Sequence, residues 1–310
     1  MDSVPLTFIR SVFRISKHDV LKEFHQFSSP WGREAEAEGR RSGGLRLTFA
    51  PYNGDKDDYR LYYALRGFSH VDSTELSRAV AGQISKTIKY IELQQLYIVN
   101  EQWNLVNPND VDLLQLLINL DAPEKLIHCN GALSLYVKLQ SKYSNLFRSF
   151  TSATVQCYND SRIIEYMASY PRMRSLDVKS YVKVSWPTSF LLDYFFSDTC
   201  MRLFTNFMDL SVILGAIDRW KKMDPRTLKF SKLLYGMHCY EEDLTGVGLK
   251  EIDVEAKAAL MKKVRSKVKK DSHIKSLHRV DHPIDPSSKI YVVLYYDRRY
   301  TDLGEVLLVF

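Results

Sequence analysis

Residues 152–180, SATVQCYNDSRIIEYMASYPRMRSLDVKS, decide how the chain folds. Val155 centres a short apolar run, a polar loop follows with Asn159 as a helix cap, and Ile163, Ile164 and Met167 then fall on one helical face. Leu176 centres the next short run, so the stretch reads as strand, loop, helix, strand. The same unit extends in both directions. Strand centres at Ile91, Ile127, Val155, Leu176, Leu203 and Leu228 are separated by 36, 28, 21, 27 and 25 residues. Between them the apolar spacing predicts helices over 110–120, 132–146, 160–170, 187–197 and 209–221, with Pro187 in a first turn and Asn109 and Asp209 as caps.

An α/β chain with strand, crossover helix and strand every 20 to 30 residues has the period of a leucine-rich-repeat solenoid, here an irregular one. No single unit can bury both its strand and its helix, so neighbours must stack into one core. An ordinary doubly wound α/β domain also alternates strands and helices. The solenoid is favoured because the predicted strands span only three to five residues and no glycine-rich turn follows any of them.

Both ends depart from this period. Leu6, Ile9, Val12 and Phe13 form one helical stripe, and Val20, Leu21 and Phe24 form a second. Ser29 and Pro30 then supply the cap and first-turn proline of a third helix. Residues 38–44 are polar and carry three glycines, which predicts a linker. Leu45, Leu47 and Phe49 face Tyr59, Leu61 and Tyr63 across Asn53-Gly54-Asp55, a hairpin. A helix is expected from Asp72 or Ser73 to about Lys86. At the far end, Ala256, Leu260, Val264 and Val268 predict a helix over 250–270, and residues 289–297 and 305–310 predict a strand pair that caps the solenoid.

Composition limits the function. The chain has 310 residues, 45% of them hydrophobic and 26% charged, the proportions of a folded globular protein. Its longest run without a charged residue is 126–137, too short to cross a bilayer as a helix, so no membrane partner is expected. Four scattered cysteines, Cys129, Cys157, Cys200 and Cys239, read as reduced thiols of a cytoplasmic or nuclear protein. Cys129 and Cys157 would be core residues on adjacent strands. None of the four is paired at metal-ligand spacing, so no metal is assigned. No P-loop, dinucleotide-binding glycine run, nucleophile elbow or HExxH occurs, and no catalytic residue or cofactor is assigned.

The net charge of +6 is local. Residues 257–279 hold nine Lys or Arg and one acid, so they carry +8 and the rest of the chain −2. Phosphate binding by this segment is one reading. It contains no Trp, Tyr or Phe to stack on bases, which favours a docked helix with a solvated basic face and makes nucleic acid the lesser alternative. The residues expected to face outward from the strands are Glu92, Gln94, His128, Gln156, Tyr158, Asp177, Lys179 and Lys229. Mixed charge with an aromatic suits a wall that binds a protein substrate.

The first forty residues carry a more specific signal. Val4-Pro5-Leu6-Thr7-Phe8-Ile9-Arg10-Ser11-Val12-Phe13 resembles the opening of an F-box, Lys17-His18-Asp19-Val20-Leu21-Lys22-Glu23-Phe24 its second helix, and Phe27-Ser28-Ser29-Pro30-Trp31 the start of its third. Pro5 and Trp31 stand at the family spacing. The resemblance implies a three-helix F-box-like module over 1–40, then a linker, hairpin and cap helix over 41–87. A degenerate leucine-rich-repeat-like solenoid would follow over 88–248, and a basic helix with a β-hairpin cap over 249–310. It further implies that Pro5, Leu6, Phe8, Ile9 and Leu21 bind a Skp-type adaptor. The chain would thereby join a cullin-RING ubiquitin ligase as its non-catalytic substrate-recognition subunit. The alternative left open is a repeat-type interaction module unconnected to ubiquitin.

Overall fold

The computed structural model describes residues 4–16, 21, 23–53, 55–130, 133–157, 162–180, 188–206, 210–240, 242–244, 246–252, 261, 264–265, 272–297 and 305–310. The fold is mixed α/β, and the chain divides into two compact units, residues 1–154 and 155–310. Among the described residues no helix is long and apolar enough to cross a membrane.

The first unit begins with α1 (Leu6–Ile15), a helical segment containing Leu21, Glu23 and Phe24, and α2 (Pro30–Arg41). Pro30 occupies the first turn of α2, where its missing N–H costs nothing. The polar stretch expected to be a linker is not one: residues 38–41 are the last turn of α2, and β1 (Gly43–Tyr52) starts after a single residue, Ser42. Ser42 continues the helix hydrogen bonding through its N–H and Oγ, both donated to Glu38 O, which ends the helix without a flexible break.

β1 and β2 (Asp55–Arg66) form the expected hairpin, with Asn53 at φ 50° in the turn. The next helix starts later than its sequence suggests. Ser73 Oγ accepts from Glu75 N–H, and Tyr63 accepts from Leu76 N–H through its hydroxyl oxygen, so residues 73–76 are held as a loop. Ser77 then caps α3 (Arg78–Ile84) by accepting from Val80 N–H. β3 (Ile88–Gln95), the two-residue β4 (Asn104–Leu105), α4 (Val111–Asn119), β5 (Glu124–Cys129) and α5 (Leu133–Arg148) complete the unit. Asp110, one residue beyond the expected cap, accepts from Leu113 N–H. The strand order is β5-β3-β1-β2-β4, parallel between β5, β3 and β1 and antiparallel beyond.

β6 (Ser152–Cys157) spans the division between the units. The second unit contains α6 (Arg162–Ala168), β7 (Ser175–Ser180), α7 (Thr188–Phe196), β8 (Arg202–Thr205), α8 (Leu210–Lys222) and β9 (Leu233–His238). The last parallel strand is therefore centred beyond Leu228. Asp224 accepts from Arg226 N–H and Pro225 opens a 3-10 turn over Pro225–Thr227, which displaces the strand toward the carboxy terminus. The carboxy-terminal addition is larger than a hairpin: β10 (Lys250–Glu251), β11 (Ser272–Asp281), β12 (Lys289–Asp297) and β13 (Glu305–Val309) give the order β10-β11-β12-β13-β9-β8-β7. Lys250 and Glu251, expected to start a helix, pair with Arg279 and His278, and Lys275 and Arg279 of the basic segment lie on a strand. Met261, Val264 and Arg265 are helical. Met261 and Val264 are buried against Leu277, Val293 and Leu307, so this part of the basic segment docks by its apolar side. Ala256, Leu260 and Val268 lie outside the described residues.

The parallel strands are covered on one face. On β5, Lys125, Ile127 and Cys129 are buried, whereas Glu124, Leu126 and His128 are half-buried; on β7, Leu176 and Val178 alternate in the same way with Ser175, Asp177 and Lys179. Helices supply the covered side. In the first unit Phe49 of β1 packs on Tyr143 and stacks on Phe147 of α5, with ring centroids 5.6 and 5.8 Å apart.

Three lysines at strand starts are buried in each case with Nζ on the carboxy-terminal carbonyls of a helix or the residues just after it. Lys89 donates to Phe13 O (2.6 Å), Arg14 O and the Glu38 carboxylate (3.0 Å). Lys125 donates to Ile118 O, and Lys232 to Ser197 O (2.8 Å) and Cys200 O (2.6 Å). Each ammonium satisfies carbonyls that the end of a helix leaves without an intrahelical donor.

Candidate docking surfaces

The amino-terminal helices separate the five residues expected to bind an adaptor into two groups. Ile9 and Leu21 are fully buried with Phe13 and Ala35 in the core of the module, so neither can touch a partner without unfolding it. The i, i+3 stripe that predicts a helix also marks its buried face, and Ile9 belongs to that face. Pro5, Leu6 and Phe8 are exposed, and so is Phe27, which sequence reasoning used only to place the third helix. Leu6, Phe8 and Phe27 are 48, 55 and 57% exposed, unusual for side chains of this size. Phe8 meets Trp31 edge-on at 6.4 Å, Trp31 stacks on Phe24 at 5.6 Å, and Phe24 touches Phe27 at 5.7 Å. The exposed rings therefore sit on an ordered aromatic base.

Two ion pairs hold this module. Arg10 grips Glu34 through Nε (2.8 Å) and Nη2 (3.1 Å), a two-pronged tie between α1 and α2 that lowers the Glu34 carboxyl below its ordinary range. Lys89 joins both helices to β3, and burial pushes its ammonium below its usual value.

The uncovered face of the parallel strands is a second surface. In the first unit Glu92 receives a hydrogen bond from His128 Nε2 at 2.6 Å, and Arg46 Nε lies 3.6 Å from its other oxygen. Arg46 and Glu92 are register partners on β1 and β3, and His128 comes from β5, so one carboxylate is flanked by nitrogen donors from both neighbouring strands. The His128 hydrogen bond, opposed by desolvation, leaves the Glu92 carboxyl below 4.5. Gln94 is half-buried two residues further along β3, on the same face. Arg46 escaped sequence reasoning because β1 was read only as a hairpin strand. Its alternation with Leu45 and Leu47 was the available signal.

In the second unit Asp177 and Lys179 lie on one face of β7, 3.6 Å apart. Asp177 pairs in register with Phe204, and Phe204 with Tyr235, whose rings meet edge-on at 5.1 Å. Burial, then the nearby Asp177, raises the Tyr235 hydroxyl above its usual value. Gly236, at φ +90°, lets the Phe204 ring approach: a Cβ there would stand 2.3 Å from the ring edge. Phe204 and Tyr235 were both missed. Placing the last strand at Leu228 put Lys229 where Tyr235 stands, whereas Lys229 lies off the sheet and pairs with Asp198. Gln156 is half-buried on β6, and Tyr158 lies outside the described residues.

The buried thiols are poorly suited to nucleophilic chemistry. Burial pushes both Cys200 and Cys239 up to about 12, so neither is a thiolate at neutral pH, and Cys129 is also buried. Among the described residues, no three His, Cys, Asp or Glu side chains gather as a metal site. His282 is held in one tautomer: Nε2 faces Trp220 O and Met223 O, while Nδ1 accepts from Ile284 and Asp285 N–H. The ring thereby closes the carboxy-terminal end of α8. No protein-family model matches this chain, and no curated protein or solved structure matches it.

Proposed function

We propose that this chain is the substrate-recognition subunit of a Skp-adaptor/cullin-RING ubiquitin ligase, acting in the cytoplasm or nucleus. The supporting observation is the exposure of Phe8 and Phe27 over the Trp31–Phe24 pair of a compact helical module, together with the exposure of Pro5 and Leu6 on its first helix. Isolated exposed apolar residues are ordinary, but two exposed phenylalanines joined through a shared aromatic base fit a protein-docking patch. In the proposed adaptor contact Pro5, Leu6 and Phe8 are kept, Ile9 and Leu21 drop out and Phe27 is added. The body is read as an irregular leucine-rich-repeat-like solenoid because its parallel strands alternate buried and half-buried residues. A doubly wound sheet buries both faces. Each unit has its own open strand face to offer a substrate protein: Arg46, Glu92 and His128 in the first, and Asp177, Lys179, Phe204 and Tyr235 in the second. The contribution to catalysis is proximity: a bound substrate is presented to the conjugating enzyme at high effective concentration.

The test is recovery of a Skp-type adaptor with the full chain and with a Leu6→Glu/Phe8→Glu variant, whose altered residues lie outside the module core. The reading expects recovery by the native chain and a loss of tenfold or more in the variant. Equal recovery by both, or by neither, overturns it. A second reading, an interaction module in which the helices only cap the repeat body, is favoured by the tie from Lys89 to α1 and α2. It expects no adaptor but an unchanged protein partner in the variant.

A further inference from the structure

A cleft of about 320 Å³ in the first unit is lined by Arg10, Arg14, Arg41, Lys86, Glu34 and Glu38, with no aromatic residue on its walls. Its two carboxylates are already occupied, Glu34 by the fork of Arg10 and Glu38 by Lys89. Arg14, Arg41 and Lys86 make no ion pair among the described residues, and all three are exposed. Counting Lys89, five cations meet two carboxylates, a surplus of three positive charges.

Part of that surplus belongs to the helices. Arg14 and Arg41 stand in the last turns of α1 and α2, where each carboxy-terminal end carries roughly half a negative charge. Two such ends offset about one unit and leave about two. A single carboxylate would neutralise only half of the remainder. A phosphate group, with close to two negative charges at neutral pH and oxygens that match guanidinium forks, would neutralise it.

We propose that this cleft binds the phosphate groups of a small, multiply charged ligand. Recognition is by charge and guanidinium geometry alone, since no ring is present to stack on a base. The site is separate from the exposed Leu6, Phe8 and Phe27 and holds whether or not an adaptor binds there.

Calorimetric titration of the full chain with inorganic pyrophosphate at low ionic strength tests this. The expected result is saturable binding at one site that weakens as salt is added. Arg41→Gln/Lys86→Gln should weaken it about tenfold or more and Arg14→Gln alone about threefold, each removing a charge-assisted contact. Arg148→Gln removes a cation from the last turn of α5, away from the cleft, and should leave binding unchanged. Thermal unfolding of each variant establishes that it is folded, and Arg14→Gln carries the test if the double variant is not. Inorganic tripolyphosphate and a nucleoside triphosphate should bind equally to within about threefold, because the walls offer nothing to a base. Absence of saturable binding, retention of affinity in Arg14→Gln together with the double variant, an equal loss in Arg148→Gln, or a tenfold preference for the nucleotide would each overturn the proposal.

Discussion

Lys89 in the first unit and Lys232 in the second are the same device in different electrostatic settings. Both are about 1% exposed, both sit at a strand start and both donate to carbonyls at or just beyond a helix end. Lys89 also meets a carboxylate, Glu38. Lys232 has carbonyl oxygens for hydrogen-bond acceptors and the ring of Phe195 at 5.9 Å. Desolvation lowers the ammonium of each. The difference lies in the charge partner: carbonyls at or just beyond a helix end accept the buried cation in both, Asp198 acts on Lys232 only through its charge, and a directly bonded carboxylate is added where separate helices must be joined.

The largest effect is expected from Lys89→Met. It removes one of the two donors to Phe13 O, which also accepts from Ser16 N–H, leaves Glu38 without its Lys89 partner and releases the helical module from β3, at a cost of about 3 kcal/mol in urea unfolding. Accelerated amide exchange should be confined to α1 and α2; uniform acceleration through the first unit would break the comparison. Lys232→Met should cost less, about 2 kcal/mol, because two carbonyls lose a donor but no carboxylate is stranded. The sign of its pH dependence is separate evidence. A lysine whose folded pKa is lowered releases its proton first from the native state, so stability rises with pH between that lowered value and 10.5. Lys232→Met should remove its share of this rise, and an unchanged alkaline limb would place the ammonium in contact with water.

The smallest effect belongs to the open face. Glu92 is held below 4.5, so its stabilising contribution is present above 4.5 and disappears as pH falls through the lowered folded value. Glu92→Gln should flatten that acid limb by about 0.5 kcal/mol, a modest figure because the group is partly solvated. A steeper acid limb in the variant would mean that Glu92 is not the group being protonated.

Local periodicity made much of the α/β body legible. Ile91, Ile127, Val155, Leu176 and Leu203 all lie within strands, and a helix occupies each of the five predicted intervals. It misled where one residue type had two destinations. The glycines at 43 and 44 read as a linker, yet Gly44 lies under the ring of Tyr90 within a strand, where a Cβ would stand 2.1 Å from that ring. Centring the strand on Leu228 hid β9 at Leu233–His238, and a continuous basic segment hid the strand that contains Lys275 and Arg279.

The sequence by itself determined the alternation of strands and helices and the hairpin at Asn53, because these follow from neighbours within a few residues. Only the tertiary structure decided that Ile9 and Leu21 are core, that Lys89 and Lys232 are buried, and that Arg46, Glu92 and His128 meet. A lysine has the same local propensity in water as beneath a helix end. What buries it is the set of carbonyls delivered by chain 76 residues away for Lys89 and 32 to 35 for Lys232, a separation that no short-range pattern records.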